Sequence, residues 1–215
     1  MAMQDQYALL TSSNDASFEE FYSIYFSSMP AREQKSRALL AAMAARADYR
    51  ILLVIRKAAV IGFSVVFAPP EESFRLLEYM AVHAEHRNAG VGGRLFLRSV
   101  QDAVNGRGNI PVLLEVDSDR EFSADQAIRK RRRQFYKRLG CCRIEGLSYI
   151  LPLPGKGAPP QMDLMIYFPE GVSPVGKPYL ERWLKAIYQG VYNCSSDDPR
   201  IAQMMRTVTD PVTFA

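Results

Sequence analysis

The sequence predicts a mixed α/β fold, and three observations support that prediction. Strand-like and helix-like segments alternate along most of the chain. Two apolar runs, Tyr49–Arg56 and Ala59–Phe67, are joined by only two residues, a link that fits an antiparallel hairpin. A third run at 74–82 leads through a glycine-rich turn into a helix at about 91–104.

The N-terminal segments predict one short strand followed by two helices. The strand lies at 7–11, and Asn14 or Asp15 offers an N-cap for a helix whose aromatic residues recur at helical spacing. Pro30 ends that helix, because proline cannot continue the hydrogen-bond pattern. The Ala- and Leu-rich segment 32–47 predicts the second helix.

The segments after the glycine-rich turn predict further crossovers and a late hairpin. We expect a strand at 111–116, a basic helix at about 124–139 and a last helix at 179–192, followed by an irregular tail. Two strands at 143–151 and 162–168 are joined by a Pro/Gly-rich loop at 152–160. In the basic helix the expected core contacts are Ile128, Phe135 and Leu139, with Gly140 as C-cap.

Composition indicates an ordinary globular protein. The chain has 215 residues, 48% of them hydrophobic and 23% charged, which fits one large domain or one domain with an appendage. No apolar run approaches the ~20 residues needed to cross a bilayer, and no secretory signal is evident. Three cysteines, two of them adjacent, form neither a disulfide framework nor a zinc pattern. We therefore expect a cytoplasmic protein without a metal or a membrane partner.

The glycine-rich turn is a candidate anion site. Glycines allow close approach of the backbone, and the free N–H groups at a helix N-terminus attract phosphate. Leu95 stands where a dinucleotide fingerprint needs glycine, and no Gly-Lys-Ser/Thr of a P-loop follows. On this pattern alone, a phosphate site and a simple tight turn remain equally open.

A basic run lies on the helix predicted at about 124–139. Seven of the ten residues from Arg129 to Arg138 are Arg or Lys. They could form a solvated helix face, bind a cofactor phosphate or bind nucleic acid. No recognised nucleic-acid motif is present, so we expect no nucleic-acid partner.

Three segments, in this order, resemble the GNAT N-acetyltransferase superfamily. They are the strand, turn and helix start at 77–93, with Arg87-x-x-Gly90-x-Gly92 in the turn; Leu114-Glu115-Val116; and Phe135-Tyr136-x-x-x-Gly140. The order of elements matches over about residues 7–168. The resemblance implies the GNAT fold, with a splayed pair of neighbouring sheet strands, and acetyl-CoA as cosubstrate. The segment between Val116 and Phe135 is longer than is usual in the family, and the family's asparagine there is not evident.

The resemblance also implies which residues bind the cosubstrate. The pantetheine arm would pair with the backbone of one strand end, and Arg87 and the turn N–H groups would hold the pyrophosphate. The residues expected to bind acetyl-CoA are Met80, Ala81, Val82, Arg87, Asn88, Ala89, Gly90, Val91, Gly92 and Gly93.

Acetyl transfer to an amine calls for a base and a proton donor. A free alkylamine has a pKa near ~10.4 and must lose a proton before it attacks. Tyr136 is the candidate acid, from its place in the family motif. Glu115 and Glu78 are the candidate bases, because a carboxylate among apolar residues has a raised pKa. The resemblance slightly favours Glu115, and an ordered water could serve instead.

The acceptor is predicted only as a primary amine of a small molecule or peptide. Aromatic residues in the first helix, together with Glu33, Tyr149 and Tyr167, could line its pocket. We expect a GNAT domain at 1–169 and a helical extension at 170–215 that packs on it and could cap the site or mediate a homodimer. The alternatives are a GNAT-like module that binds acyl-CoA without catalysis, as a sensor or protein partner, and a basic nucleic-acid-binding protein.

Overall fold

The computed structural model describes residues 5–106, 108–120, 125–153 and 161–215, which divide into two compact units. The first unit contains β1 (Gln6–Leu10), α1 (Ser17–Ser28), α2 (Arg37–Ala45), β2 (Tyr49–Arg56), β3 (Ala59–Phe67), the later part of β4 (Arg75–Val82) and α3 (Val91–Val104). The second contains the start of β4, β5 (Val112–Asp117), α4 (Gln126–Arg138), β6 (Cys142–Arg143), β7 (Tyr149–Ile150), β8 (Gln161–Tyr167), α5 (Lys177–Gly190) and α6 (Pro199–Met205). Single turns of 3-10 helix lie at Ala31–Glu33 and Ala84–His86.

The strands form a mixed sheet. Its order is β1-β2-β3-β4-β5-β8-β6, and β7 also pairs with β8. β1 with β2, β2 with β3, and β5 with β8 are antiparallel. The predicted mixed α/β class is confirmed.

In the first unit, a tight hairpin and the packing of α3 position the start of that helix. Lys57 and Ala58 join β2 to β3 with φ of 52° and 61°, the positive values that a two-residue type I′ turn needs. Behind the hairpin, Val91 and Leu95 of α3 are buried in a cluster with Leu52, Val54 and Ile61 of β2 and β3. The apolar face of the helix therefore fixes its first turn against the sheet.

Three expectations about the elements are wrong. The strand predicted at 143–151 is two separate two-residue strands, β6 and β7. The tail predicted to be irregular contains α6, whose N-cap Asp198 accepts a 3.0 Å hydrogen bond from the Arg200 N–H. The second helix begins at Arg37, five residues late, because Ser36 caps it by accepting from the Leu39 N–H.

The basic helix packs differently from the prediction. Ile128, predicted to lie in the core, is 62% exposed, whereas Tyr136 is the buried residue of α4. Most of the loop predicted at 152–160, and Ala124 at the expected start of the helix, lie outside the described residues. In the described part of the chain no helix is long and apolar enough to span a bilayer.

Candidate active site

The glycine-rich turn connects the end of β4 to the start of α3 within the first unit. After Val82, the His83 N–H donates to the Ile61 carbonyl at 2.9 Å, which keeps the strand end on β3. Asn88 and Gly90 have φ of 62° and 73°, and this left-handed backbone reverses the chain into the helix. Glycine reaches such values without a Cβ penalty, so Gly90 suits the N-cap position it occupies.

The first turn of α3 has the features of an anion site. Its N-cap, Gly90, has no side chain to accept the first helical N–H groups, and the first turn carries no acidic residue. The helix is 14 residues long, so its N-terminus carries a partial positive charge. These features fit a phosphate group next to the N–H groups of Val91, Gly92 and Gly93.

Two arginines donate hydrogen bonds to backbone carbonyls at the turn. The Arg87 Nε donates to the Val82 carbonyl at 2.9 Å, so this side chain folds back on the strand end. The Arg94 guanidinium donates to Asp5 Oδ2 at 2.8 Å and approaches the Ala89 carbonyl at 3.4 Å. Both positive charges therefore stay beside the N-terminus of α3.

A glycine in the middle of β3 lets the strands beside the turn come together. A Cβ built on Gly62 would lie 2.9 Å from the Ala81 carbonyl oxygen, closer than real Cβ atoms come. Gly62 was not singled out in the sequence, although an isolated glycine inside a strand pattern is a signal of close backbone approach.

Glu78 lies on β4 in the first unit, and its carboxylate is buried. Its side chain is 2% exposed, and the Lys35 ammonium lies 2.8 Å from its Oε1. Burial raises the pKa of Glu78, and the charge of Lys35 acts against that rise. The predicted raising of its pKa by burial is therefore present.

Glu115 lies on β5 in the second unit and is held by two tyrosines. The Tyr192 hydroxyl donates to its Oε2 at 2.5 Å, and the Tyr149 hydroxyl donates to its Oε1. From the sequence, Tyr149 is a candidate for lining the acceptor pocket. In the structure its hydroxyl has a hydrogen-bond partner within the second unit. The two hydroxyl donors stabilise the charge of this carboxylate.

Tyr136 is buried on α4 in the second unit. Burial raises its pKa to about 12, with the charge of Arg132 acting against that rise. Its ring packs edge-on against Phe135, with 5.1 Å between the ring centroids. A phenol in this state keeps its proton throughout the neutral range, as a proton donor must.

Three arginines of the basic helix pair with carboxylates. Arg129 binds Asp125 at 3.0 Å, and the other two pairs are Arg132 with Asp117 at 2.6 Å and Arg133 with Asp119 at 2.9 Å. Part of the positive charge is therefore compensated within the second unit. Among the described residues, no cluster of three or more His, Cys, Asp or Glu side chains could hold a metal ion.

Comparison with protein families adds an independent observation. Residues 47–140 match the family model described as the acetyltransferase (GNAT) domain. The chain carries a GNAT domain. The match runs from just before β2 to just after α4, and so includes the glycine-rich turn of the GNAT domain and Glu78, Glu115 and Tyr136. The resemblance noted in the sequence is confirmed.

Solved structures share the fold of this chain. A structure from Bacteroides thetaiotaomicron, described as an acetyltransferase of the GNAT family, is 22% identical, with a TM-score of 0.70 over 88% of this chain and 99% of that one. An aminoglycoside 6′-N-acetyltransferase complexed with coenzyme A is 15% identical, with a TM-score of 0.58 over 76% and 96%. The ribosomal-protein-S18-alanine N-acetyltransferase from Escherichia coli is 16% identical, with a TM-score of 0.55 over 79% and 97%. No curated protein matches the sequence.

Sequence reasoning missed the partners of both glutamates. Lys35 lies in a loop, where no periodic pattern marks it as a residue that reaches a strand. Tyr192 follows α5, far along the chain from Glu115. Contacts of this kind depend on tertiary packing and leave no local signal in one sequence.

Proposed function

We propose that this protein is an N-acetyltransferase that moves an acetyl group from acetyl-CoA to a primary amine of a small molecule or a peptide. The observation that carries the proposal is the glycine-capped N-terminus of α3 directly after β4, inside a GNAT domain. The solved structures with this fold include an enzyme for an aminoglycoside, bound to coenzyme A, and one for a protein alanine. An amine acceptor of either class is consistent with them.

The first unit supplies the proposed binding residues for acetyl-CoA. The N–H groups of Val91, Gly92 and Gly93 would bind the pyrophosphate. The backbone of Asn88, Ala89 and Gly90 would form the turn around it, and Arg87 would add a positive charge beside it. The backbone of Met80, Ala81 and Val82 would bind the pantetheine arm. When bound, acetyl-CoA supplies an activated acetyl thioester.

Glu78 is the proposed general base. It would take a proton from the acceptor ammonium, directly or through one water, so that the nitrogen can attack. Burial raises the pKa of Glu78. A carboxylate with a raised pKa binds a proton more strongly and is therefore a better base. Glu115 is the weaker candidate, because two tyrosine hydroxyls already stabilise its charge.

Tyr136 is the proposed general acid. Its hydroxyl would give a proton to the departing sulfur as the bond from carbon to sulfur breaks. With its pKa raised to about 12, the phenol holds its proton at any pH at which the enzyme would work.

Two measurements test the proposal in sequence. In a thermal-shift titration, CoA should raise the melting temperature in proportion to the logarithm of its concentration above Kd, since it binds the folded state only. Thiol release from acetyl-CoA should then depend on an amine in a panel of polyamines, aminoglycosides and peptides with free N-termini. CoA binding without amine-dependent thiol release across that panel would favour a non-catalytic acyl-CoA-binding module.

A further inference from the structure

The pair formed by Lys35 and Glu78 is the most buried ion pair for which both partners are described in the first unit. The two side chains are 12% and 2% exposed, and 2.8 Å separates Lys35 Nζ from Glu78 Oε1. Burying two charges is costly, and such pairs often contribute little net stability. Net stability alone therefore does not explain why two charged residues are buried here.

Lys35 is held in place by its own loop. Its backbone N–H donates to the Tyr25 hydroxyl at 2.7 Å, and Tyr25 is fully buried in α1. The neighbouring Gln34 side chain donates to the Phe26 and Met29 carbonyls at 2.9 and 2.8 Å. The loop is thereby fixed to the end of α1.

The same loop is also fixed to β4. The Tyr79 hydroxyl donates to the Glu33 carbonyl at 3.1 Å, two residues before Lys35. The Lys35 ammonium lies 5.9 Å from the centroid of the Tyr79 ring, within range of a cation–π interaction. Residues 33–35 thus place one ammonium against one carboxylate.

We propose that Lys35 is a positioning residue for Glu78, whose ammonium keeps the buried carboxylate ionised and aimed as a proton acceptor. The inference rests on the proposed role of Glu78 as the base. Without a neighbouring cation, burial would favour the protonated form of the carboxylate, which can accept no proton. Lys35 therefore sets the lower end of the pH range in which the enzyme works.

Other polar groups also face Glu78. Tyr25 on α1, Arg46 after α2 and Tyr49 on β2 interact electrostatically with it, and Tyr79 on β4 lies close to it. Arg46 is itself paired with Asp48 at 2.6 Å. Among these groups, Lys35 has the largest effect that lowers the pKa of Glu78.

The test has a direct readout that needs no acetyl-CoA. In the full chain labelled with ¹³C at the glutamate carboxyls, the Glu78 resonance is identified by its loss in Glu78→Gln, and its titration midpoint is measured. Lys35→Met, and Lys35→Gln as a second uncharged variant, should raise that midpoint by about one to three pH units. Lys35→Arg should keep it near the wild-type value. Lys185→Met, which breaks an exposed pair with Glu181, is the control and should change nothing.

The pH dependence of kcat/KM gives the second readout. In Lys35→Met or Lys35→Gln, the acidic limb should move up by the same interval as the midpoint, a loss of about tenfold on that limb for each pH unit. An unchanged midpoint in both uncharged variants would overturn the inference, whatever their activity. If Glu78→Gln keeps the acidic limb, the assignment of Glu78 as the base fails, and the inference that depends on it fails too. A lost limb in Glu78→Gln with an unmoved limb in the Lys35 variants contradicts the role of Lys35 alone.

Discussion

The Tyr192 hydroxyl donates a 2.5 Å hydrogen bond to the Glu115 carboxylate, which ties the chain beyond α5 to strand β5. Nearby, the Tyr188 hydroxyl of α5 donates to the Ile150 carbonyl of β7 at 2.5 Å. The C-terminal helices therefore belong to the compact unit that contains β5 to β8. Glu115 acts here as an anchor for the C-terminal segment.

Removing this anchor should destabilise the second unit. We expect Tyr192→Phe to lower the free energy of unfolding by about 1.5 to 3 kcal/mol, because a hydrogen bond to a charged group is lost. Urea denaturation followed by circular dichroism measures the change as a lower midpoint. Tyr179→Phe, at a ring that is 58% exposed, is the control and should leave the midpoint in place. A midpoint that is equal in both variants would show that the anchor contributes nothing.

The role of Gly90 at the N-cap of α3 can be distinguished from the general effect of replacing a glycine that has a positive φ. Gly90 and Gly106 have φ of 73° and 71°, so alanine at either should cost about 1 kcal/mol of stability. Only at Gly90 does the new Cβ meet a neighbour, the Arg94 guanidinium at 3.0 Å beside the proposed pyrophosphate site. We expect Gly90→Ala to weaken CoA binding by about tenfold in calorimetry and Gly106→Ala to leave it unchanged. Equal affinities in the two variants would place the pyrophosphate elsewhere.

The buried pair Lys35–Glu78 should show strong coupling in a double-mutant cycle. Lys35→Met leaves a carboxylate buried without its cation, and Glu78→Gln leaves a cation without its carboxylate. Each single change should cost about 3 to 5 kcal/mol of unfolding free energy. The double variant should be much closer to the wild type, because both charges are gone. Additive losses from urea unfolding would mean that the two side chains do not interact.

Tyr136 should matter for turnover and not for CoA binding. We expect Tyr136→Phe to lower kcat by about 10²- to 10⁴-fold, the usual contribution of a positioned acid. Because burial raises the pKa of Tyr136 to about 12, the wild-type rate should not fall through ionisation of this phenol below about pH 11. Steady-state kinetics and CoA titration of the variant check both points. Full kcat in Tyr136→Phe would remove it from the mechanism.

Much of the fold follows from local patterns in the sequence. Helix α3 has the predicted bounds, Val91–Val104, because its apolar period is regular and a left-handed Asn105 ends it. The β2–β3 hairpin follows from the two-residue link alone, although Lys57 and Ala58 are not typical residues for positive φ. In both cases residues close in sequence decide the structure.

The errors have a different physical origin. In α6 the cap is Asp198 followed by Pro199, which is a helix-start signal within a segment that otherwise has no clear helical period. The late strands are short because residues 142–150 pair with β8 only at their two ends, which the alternation of side chains does not reveal. Ile128 is exposed because α4 buries Tyr136 instead.

The candidate site could be predicted as far as it depends on motifs. The turn residues 87–93 and Tyr136 stand in segments that resemble a family, whereas the choice between Glu78 and Glu115 depends on side chains from distant segments. Lys35 and Tyr192 reach these glutamates from a loop and from the end of a helix. Their effects on charge become visible only in the folded chain.

The most direct test of the account is mass spectrometry of the amine acceptor after incubation with acetyl-CoA. We predict that an amine in the panel gains one acetyl group for each CoA released by the wild type, and that Glu78→Gln slows this transfer while still binding CoA. A wild-type protein that binds CoA but acetylates none of the polyamines, aminoglycosides and peptides would contradict it.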